Sequence, residues 1–145
     1  MDPTLQVLSV GDEAVAEAAC SQFGSAGQLD ASAFLARPET VLVVALEADS
    51  VVGWVYGHEL VHPDGERTML LYALDVAERA RGKGYGTSLV AEFVRHADQR
   101  GCTEVWVLAD NDNEGALATY ASAGALRDGA GQVMFTWKLR EGRHS

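Results

Sequence analysis

A glycine-rich stretch, RGKGYG from Arg81 to Gly86, contains the residue types that bind a diphosphate. Gly82, Gly84 and Gly86 lack a Cβ, so consecutive backbone N–H groups in such a loop can point at an anion. Arg81 and Lys83 add positive charge to a chain whose formal net charge is −10. A helix that follows such a loop adds the positive end of its dipole. The stretch therefore predicts an anion-binding loop, and a plain tight turn is the alternative.

The elements predicted to hold this loop are an apolar strand before it and an amphipathic helix after it. The strand is predicted from Met69 to Val76 and the helix from Thr87 to Arg100. Apolar residues recur in this helix at the spacing of one helical face, namely Leu89, Val90, Phe93, Val94 and Ala97. The loop is thus predicted to lie between a buried strand and the start of a helix.

The chain before this unit is predicted to form three strands and two helices, with a helix end at GSAG (24–27). Two glycines inside the third strand, Gly53 and Gly57, predict a bulge or a close neighbour. The turn Pro63-Asp64-Gly65 predicts a hairpin to the strand that precedes the glycine loop. The predicted elements are strand Leu5–Val10, helix Gly11–Phe23, helix Asp30–Ala36, strand Thr40–Glu47 and strand Val51–Val61.

The chain after the unit is predicted to contain a strand, a helix and a closing pair of strands. Their predicted ranges are Thr103–Ala109, Glu114–Ala123, Ala125–Arg127 and Val133–Leu139. The whole order is β-α-α-β-β-β-α-β-α-β-β, which predicts an α/β fold with a mixed, mostly antiparallel sheet flanked by helices. Length predicts one domain over residues 1–145, frayed at 1–4 and 140–145.

Composition narrows the class of function. A strongly acidic chain with a pI near 4.7 argues against nucleic acid or an anionic membrane as a partner, and is compatible with a cationic substrate. No secretory signal is evident at the N-terminus. Cys20 and Cys102 are predicted to be free thiols, as in a reducing cytosol. Together these features predict a cytoplasmic location. Histidines, cysteines and acids show no metal-ligand spacing, so no metal is predicted.

The pattern resembles the GCN5-related N-acetyltransferase (GNAT) superfamily over essentially the whole chain. One hallmark is Arg81–Gly86, which follows the strand that contains Tyr72–Val76 after a short charged turn. A second is an Asn, an alanine-rich helix, a Tyr and a Gly, which match Asn113, Ala116, Ala118, Tyr120 and Gly124. Within the superfamily, the C-terminal half is most similar to gentamicin-type aminoglycoside 3-N-acetyltransferases.

The resemblance implies acetyl-CoA as cosubstrate. Its pyrophosphate would lie on the backbone N–H groups of the glycine loop. Its pantetheine would add to the strand near Val76, in a gap where this strand splays from the strand at Val105–Ala109. The residues implied to contact acetyl-CoA are Leu74, Val76, Arg81, Gly82, Lys83, Gly84, Tyr85, Gly86, Thr87, Asn113, Ala116 and Tyr120.

The resemblance also implies direct attack of a neutral amine on a thioester, with Tyr120 as the acid that protonates the leaving sulfur. The base is open, because Ala73 follows Tyr72 where relatives of this type often carry Asp or Glu. Asp75 is the first candidate for the base, because it lies two residues beyond Ala73 on the same strand and nominally on the same face. Glu59, Asp110 or a water chain are alternatives. The predicted substrate-binding residues are Glu59, Tyr72, Ala73 and Asp110.

The resemblance therefore implies transfer of an acetyl group to a primary amine of a cationic small molecule, with an aminoglycoside at its 3-N position as the first candidate. A polyamine, an amino acid or a protein N-terminus is the alternative substrate. A catalytically impaired CoA-binding homologue is the non-enzyme alternative, because Ala73 cannot accept a proton. A nucleotide-binding P-loop fits poorly, since the loop lacks the Gly-Lys-Ser/Thr ending. A homodimer is expected by analogy with the family.

Overall fold

The computed structural model describes residues 3–24, 30–129 and 131–140. Within them the chain forms five strands, four α-helices and one short 3₁₀ helix over Glu78–Ala80. The strands are β1 (Thr4–Val7), β2 (Thr40–Glu47), β3 (Ser50–Val61), β4 (Arg67–Val76) and β5 (Glu104–Trp106). The helices are α1 (Glu13–Phe23), α2 (Ala31–Ala36), α3 (Tyr85–Gln99) and α4 (Glu114–Ser122).

The five strands form one sheet in the order β1-β2-β3-β4-β5. Strands β1 to β4 pair antiparallel with one another, and β5 runs parallel to β4. This confirms the predicted α/β class and the mixed, mostly antiparallel sheet flanked by helices. β4 and β5 pair only over Thr68–Leu70 and Glu104–Trp106. Beyond Leu70, β4 continues to Val76 without β5 beside it, which leaves the gap that the sequence predicted.

Two apolar layers cover the two faces of the sheet. Strand β2 is buried along most of its length, as expected for a strand covered on both sides. One face packs against α3 through Leu89, Phe93 and Ala97, each fully buried. The other face packs against α1 and α2 through a cluster that contains Ala16 and Ala19. α1 and α2 pack on β3 and β2, so they cover the inner strands of that face.

A bulge sits where β3 and β4 pair beside Gly57. Tyr56 pairs with Ala73 and Gly57 pairs with Leu71, so Tyr72 is the extra residue on β4. A Cβ on Gly57 would lie 2.0 Å from the backbone oxygen of Leu70, so no larger residue fits there. The structure thus confirms that Gly57 marks both a bulge and a close neighbour, as the sequence predicted.

Glu59, which was predicted to bind the acceptor, lies in a buried ion-pair cluster. The residue is only 6% exposed, and its carboxylate binds Arg67 and Arg100. Burial alone would raise the pKa of Glu59, but the hydrogen bonds from Arg100 and Arg67 outweigh it and hold the pKa below its ordinary value. Strand alternation puts Glu59 on the side of the sheet that faces α3, where the two arginines enclose it.

We expect Glu59→Gln to lower the free energy of unfolding by about 2 kcal/mol near neutral pH, because hydrogen bonds to charged groups are worth that much. Since folding lowers the pKa of Glu59, its contribution is present above the unfolded-state pKa and is lost as pH falls through the folded-state value. Urea unfolding of both proteins over a pH series measures this. Glu92→Gln, which breaks a surface pair with Arg95, should cost less than about 0.5 kcal/mol.

The predicted closing strands are wrong for the described residues. The ranges 125–127 and 133–139 form no strand, and their large apolar side chains stay exposed, Leu126 at 91% and Phe135 at 77%. A strand requires a neighbour that satisfies its backbone and packs on one of its faces, and no other strand pairs with this segment in the described chain. β5 is likewise three residues long, where Thr103–Ala109 was predicted.

Most other predicted boundaries hold within a few residues. The strand Thr40–Glu47 is confirmed as predicted, and β1 ends at Val7, short of the predicted Val10. Thr4, predicted to be frayed, pairs with Leu46 in the sheet. The predicted helix end at 24–27 lies outside the described residues after Gly24, as do most of the termini predicted to fray.

Candidate functional site

A cleft of about 580 Å³ opens where β4 runs on beyond β5. The end of β4, the glycine loop, the start of α3 and one side of α4 enclose it. Its lining residues are Leu74, Asp75, Val76, Ala80, Arg81, Gly82, Gly84, Tyr85, Gly86, Thr87, Asn113, Gly115, Ala116, Thr119 and Tyr120. The structure therefore gathers in one cleft the residues that the sequence predicted to contact acetyl-CoA, with the exception of Lys83.

The glycine loop has a backbone conformation that glycine favours. Gly82 and Gly84 have φ values of +80° and +83°, and Gly84 caps α3 in the left-handed region. No heavy atom lies within 4 Å of the position that a Cβ would take at either residue. The N–H groups of Gly86 and Thr87, in the first turn of α3, have no acceptor within the helix. The loop thus offers an open backbone surface at a helix N-terminus, which suits an anion.

Lys83 does not line the cleft. Its Nζ lies 3.2 Å from an Oε of Glu47 at the end of β2, and the hydroxyl of buried Tyr85 donates to the same carboxylate. The hydrogen bond from Tyr85, and then that from Lys83, hold the pKa of Glu47 below its ordinary value. Lys83 and Tyr85 therefore tie the loop to the sheet, and Arg81 is the cation of the loop that lines the cleft.

Helix α4 closes the cleft from the side opposite β4. Asn113 caps it, and its side-chain oxygen accepts from the N–H of Ala116 at 3.1 Å. A Cβ on Gly86 would lie 3.3 Å from the methyl of Thr119, so a glycine there lets α3 and α4 approach. Gly115 and Thr119 line the cleft although the sequence did not single them out. Helical spacing from Ala116 could have found Thr119, three residues on, and Gly115 lies four residues before Thr119 on the same face.

Two ionisable side chains, Asp75 and Tyr120, line the cleft. Burial raises the pKa of Tyr120, and the negative charge of Asp75 raises it further, so the phenol keeps its proton at neutral pH. One oxygen of Asp75 accepts a hydrogen bond from Trp54 Nε1 at 2.9 Å, which fixes the carboxylate beside the cleft. A phenol that keeps its proton can donate it, and a carboxylate held nearby can accept one.

The other residues predicted to contact the acceptor do not line the cleft. Tyr72 and Ala73 lie at the bulge of β4, on the face of the sheet that carries Tyr56. Asp110 is exposed in the segment between β5 and α4, its backbone oxygen accepts from the N–H of Asn113, and it does not line the cleft. The structure therefore brings Asp75 to the cleft and leaves Asp110 outside it.

Residues 12–125 match the model of the acetyltransferase (GNAT) family. The chain belongs to this family. The match contains the glycine loop, the end of β4 and the whole of α4, so every element of the cleft lies inside it. The GNAT fold that the sequence resembled is therefore confirmed.

Curated relatives are acetyltransferases of greater length. A mycothiol acetyltransferase of Corynebacterium efficiens is 32% identical over 59% of this chain and 28% of its own. N-acetyltransferase 8F1 of Rattus norvegicus is 28% identical over 66% of this chain and 44% of its own. The chain thus spans about a quarter of the mycothiol acetyltransferases that it matches.

Solved structures share the GNAT fold over almost the whole chain. An aminoglycoside acetyltransferase from an uncultured soil metagenomic sample, in complex with sisomicin, superposes with a TM-score of 0.85 at 19% identity, covering 95% of this chain and 97% of its own. A ribosomal-protein-alanine N-acetyltransferase from Brucella melitensis biovar Abortus 2308 gives 0.71 at 20% identity, covering 94% and 100%.

Two further features concern the described residues only. None of their helices is both long and apolar enough to cross a bilayer. Their histidines, cysteines and acids form no group of three that could hold a metal ion.

Proposed function

We propose that this GNAT-family chain is an acetyl-CoA-dependent N-acetyltransferase that acts on a primary amine of a small cationic molecule. The observation that carries the proposal is the cleft, in which an open glycine loop, the end of β4 that extends beyond β5, and Tyr120 line one space. A CoA thioester and its reaction require an anion-binding site, a strand edge and a proton donor.

The residues of the cleft fit acetyl-CoA. The loop at Gly82 and Gly84 leaves the space of two side chains open, and it precedes the N-terminus of α3, which favours a diphosphate. The end of β4 around Leu74 lies beyond β5 and offers backbone groups to an extended amide chain, which is strand addition, while the Val76 carbonyl accepts from Arg81 Nε at 3.1 Å. These residues would hold the cosubstrate, which supplies an activated acetyl thioester when bound.

Asp75 and Tyr120 have separate roles in this proposal. An ammonium group has no lone pair, so the amine must lose a proton before it attacks. Asp75, fixed by Trp54, holds the ammonium group and accepts that proton directly or through water. Tyr120 keeps its own proton and donates it to the departing sulfur.

The acceptor is proposed to be a cationic small molecule, and an aminoglycoside is its first candidate. The acidic chain favours a cation, and the resemblance of the C-terminal half points to the same class. The sisomicin-bound neighbour supports this candidate by fold alone, because its sequence identity is low. Spermidine and a peptide N-terminus are the alternatives that an assay must include.

Isothermal calorimetry with acetyl-CoA, followed by a thiol-release assay with sisomicin, spermidine and a peptide, tests the proposal. We expect acetyl-CoA to bind and at least one amine to release free CoA thiol. No heat of binding at about millimolar acetyl-CoA would remove the proposal, since a millimolar dissociation constant is already weak.

Gly84→Ala tests the loop within the same experiment. We expect about ten-fold weaker acetyl-CoA binding, because the new methyl enters the open cradle and the left-handed backbone is strained by about 1 kcal/mol. Gly65→Ala is the matched control, since Gly65 has a φ of +90° and equally open surroundings in a hairpin turn away from the cleft. Both variants should lose similar stability, and equal acetyl-CoA affinity in the two would contradict the role of the loop.

A further inference from the structure

A row of aromatic side chains, here called the aromatic face, lies on the side of the sheet opposite α3. It consists of Trp54, Tyr56 and His58 from β3 and Tyr72 from β4. Trp54 and Tyr56 pack edge to face at 5.0 Å, and Tyr56 stacks on Tyr72 at 5.7 Å. α1 and α2 cover this side at β3 and β2, and Phe34 of α2 packs against Tyr56 and His58. Trp54 is buried and Tyr56 and His58 are half-buried, so Tyr72 is the exposed member of the aromatic face.

Tyr72 is the exposed end of the aromatic face. The bulge makes it the extra residue of β4, and this turns its ring toward Tyr56 and His58. One side of the ring lies against Tyr56 at an interplanar angle of 29°, yet the residue remains 59% exposed. A large aromatic ring held at a bulge and left open to solvent offers an apolar surface at little cost in conformational entropy.

Asp75 joins the aromatic face to the cleft. It lines the cleft beside Tyr120, and its carboxylate accepts a hydrogen bond from Trp54, the inner member of the aromatic face. A molecule lying on Tyr72 and Tyr56 would therefore have its near end at Asp75, next to the position proposed for the thioester.

The charges of the two strands argue for one ammonium group at this place. β3 and β4 contain two acidic residues, Glu59 and Asp75. Glu59 is buried and neutralised by two arginines, so Asp75 is the acid of these strands that an acceptor can reach. Next to it stand aromatic rings, which can bury the apolar face of a ligand.

We propose that the aromatic face is the acceptor subsite and that it takes a primary amine borne on a six-membered ring, with the ring lying on Tyr72 and the amine at Asp75. This rests on the proposed acetyltransferase function and adds the shape of the substrate to it. The ring, rather than the number of positive charges, determines which amines are acetylated.

Two matched amines separate the ring from the charge. Glucosamine and glucosaminitol, its reduced open-chain form, carry the same amine and nearly the same atoms, and spermidine adds charge without a ring. We expect kcat/KM, calculated for the neutral form of each amine from its own pKa, to be about ten-fold higher for glucosamine than for either acyclic amine, from the area that a ring buries on an aromatic surface. Tyr72→Ala should raise KM for glucosamine about ten-fold and remove this preference, whereas Tyr72→Phe should retain it.

The affinity for acetyl-CoA, measured by calorimetry on each variant, keeps the two proposals apart. Two results would overturn the ring subsite while the acetyltransferase function stands. One is turnover of spermidine or glucosaminitol at the rate of glucosamine. The other is a Tyr72→Ala protein that still prefers glucosamine over the acyclic amines. If acetyl-CoA binds and no amine is acetylated, calorimetry with glucosamine decides. Binding that Tyr72→Ala abolishes supports the subsite, and absence of binding to the original protein overturns it.

Discussion

Tyr120→Phe is expected to lower kcat about 100-fold, the lower end of what a positioned general acid contributes. The substitution removes one hydroxyl and leaves the ring, so the packing of α4 beside the glycine loop is retained. Burial and the charge of Asp75 raise the pKa of Tyr120, which keeps the proton on the phenol that donates it. The departing sulfur then leaves as an unprotonated thiolate, and the barrier rises.

A thiol-release assay with saturating amine measures this loss. Two controls accompany this assay. The affinity for acetyl-CoA, measured by calorimetry, should stay within about two-fold of the original protein. The free energy of unfolding, measured in urea, should stay within about 0.5 kcal/mol. A drop in affinity equal to the drop in turnover would make Tyr120 a binding residue. Turnover that stays within about two-fold would remove it as the acid.

Local signals explain what the sequence predicted well. Runs of apolar residues such as Thr40–Glu47 and the glycines at 82 and 84 dictate backbone conformation over a few positions, so β2 and the loop were predicted at their places. The capping role of Asn113 and the closeness that Gly57 requires also follow from neighbours in the chain or in the adjacent strand.

Contacts between distant parts of the chain explain what was missed. Alternation along β3 could place Glu59 on the face of Val55, but its partners Arg67 and Arg100 come from β4 and the end of α3. The resemblance implied that Lys83 contacts the cosubstrate, and its ion pair with Glu47 at the end of β2 is a contact that no local signal reveals. The segment 133–139 alternates like a strand, yet a strand forms only where a neighbour pairs with it.

Asp75→Asn is expected to lower kcat/KM for the amine about 100-fold near pH 7, because it removes the group that holds the ammonium and takes its proton. Asparagine has nearly the same size, and its amide oxygen can still accept the hydrogen bond from Trp54. Stability and acetyl-CoA affinity should therefore remain close to those of the original protein, which makes this substitution a test of charge alone.

The pH dependence separates a base from a residue that only shapes the site. Below the pKa of the amine, each unit of pH raises the neutral amine about ten-fold, so the Asp75→Asn protein should regain activity toward about pH 9. The loss of the negative charge also removes one cause of the raised pKa of Tyr120, so its proton is lost at lower pH than before. A deficit that stays constant from about pH 6 to 9 would show that Asp75 does not take the proton, and the water chain would then be the remaining route of deprotonation.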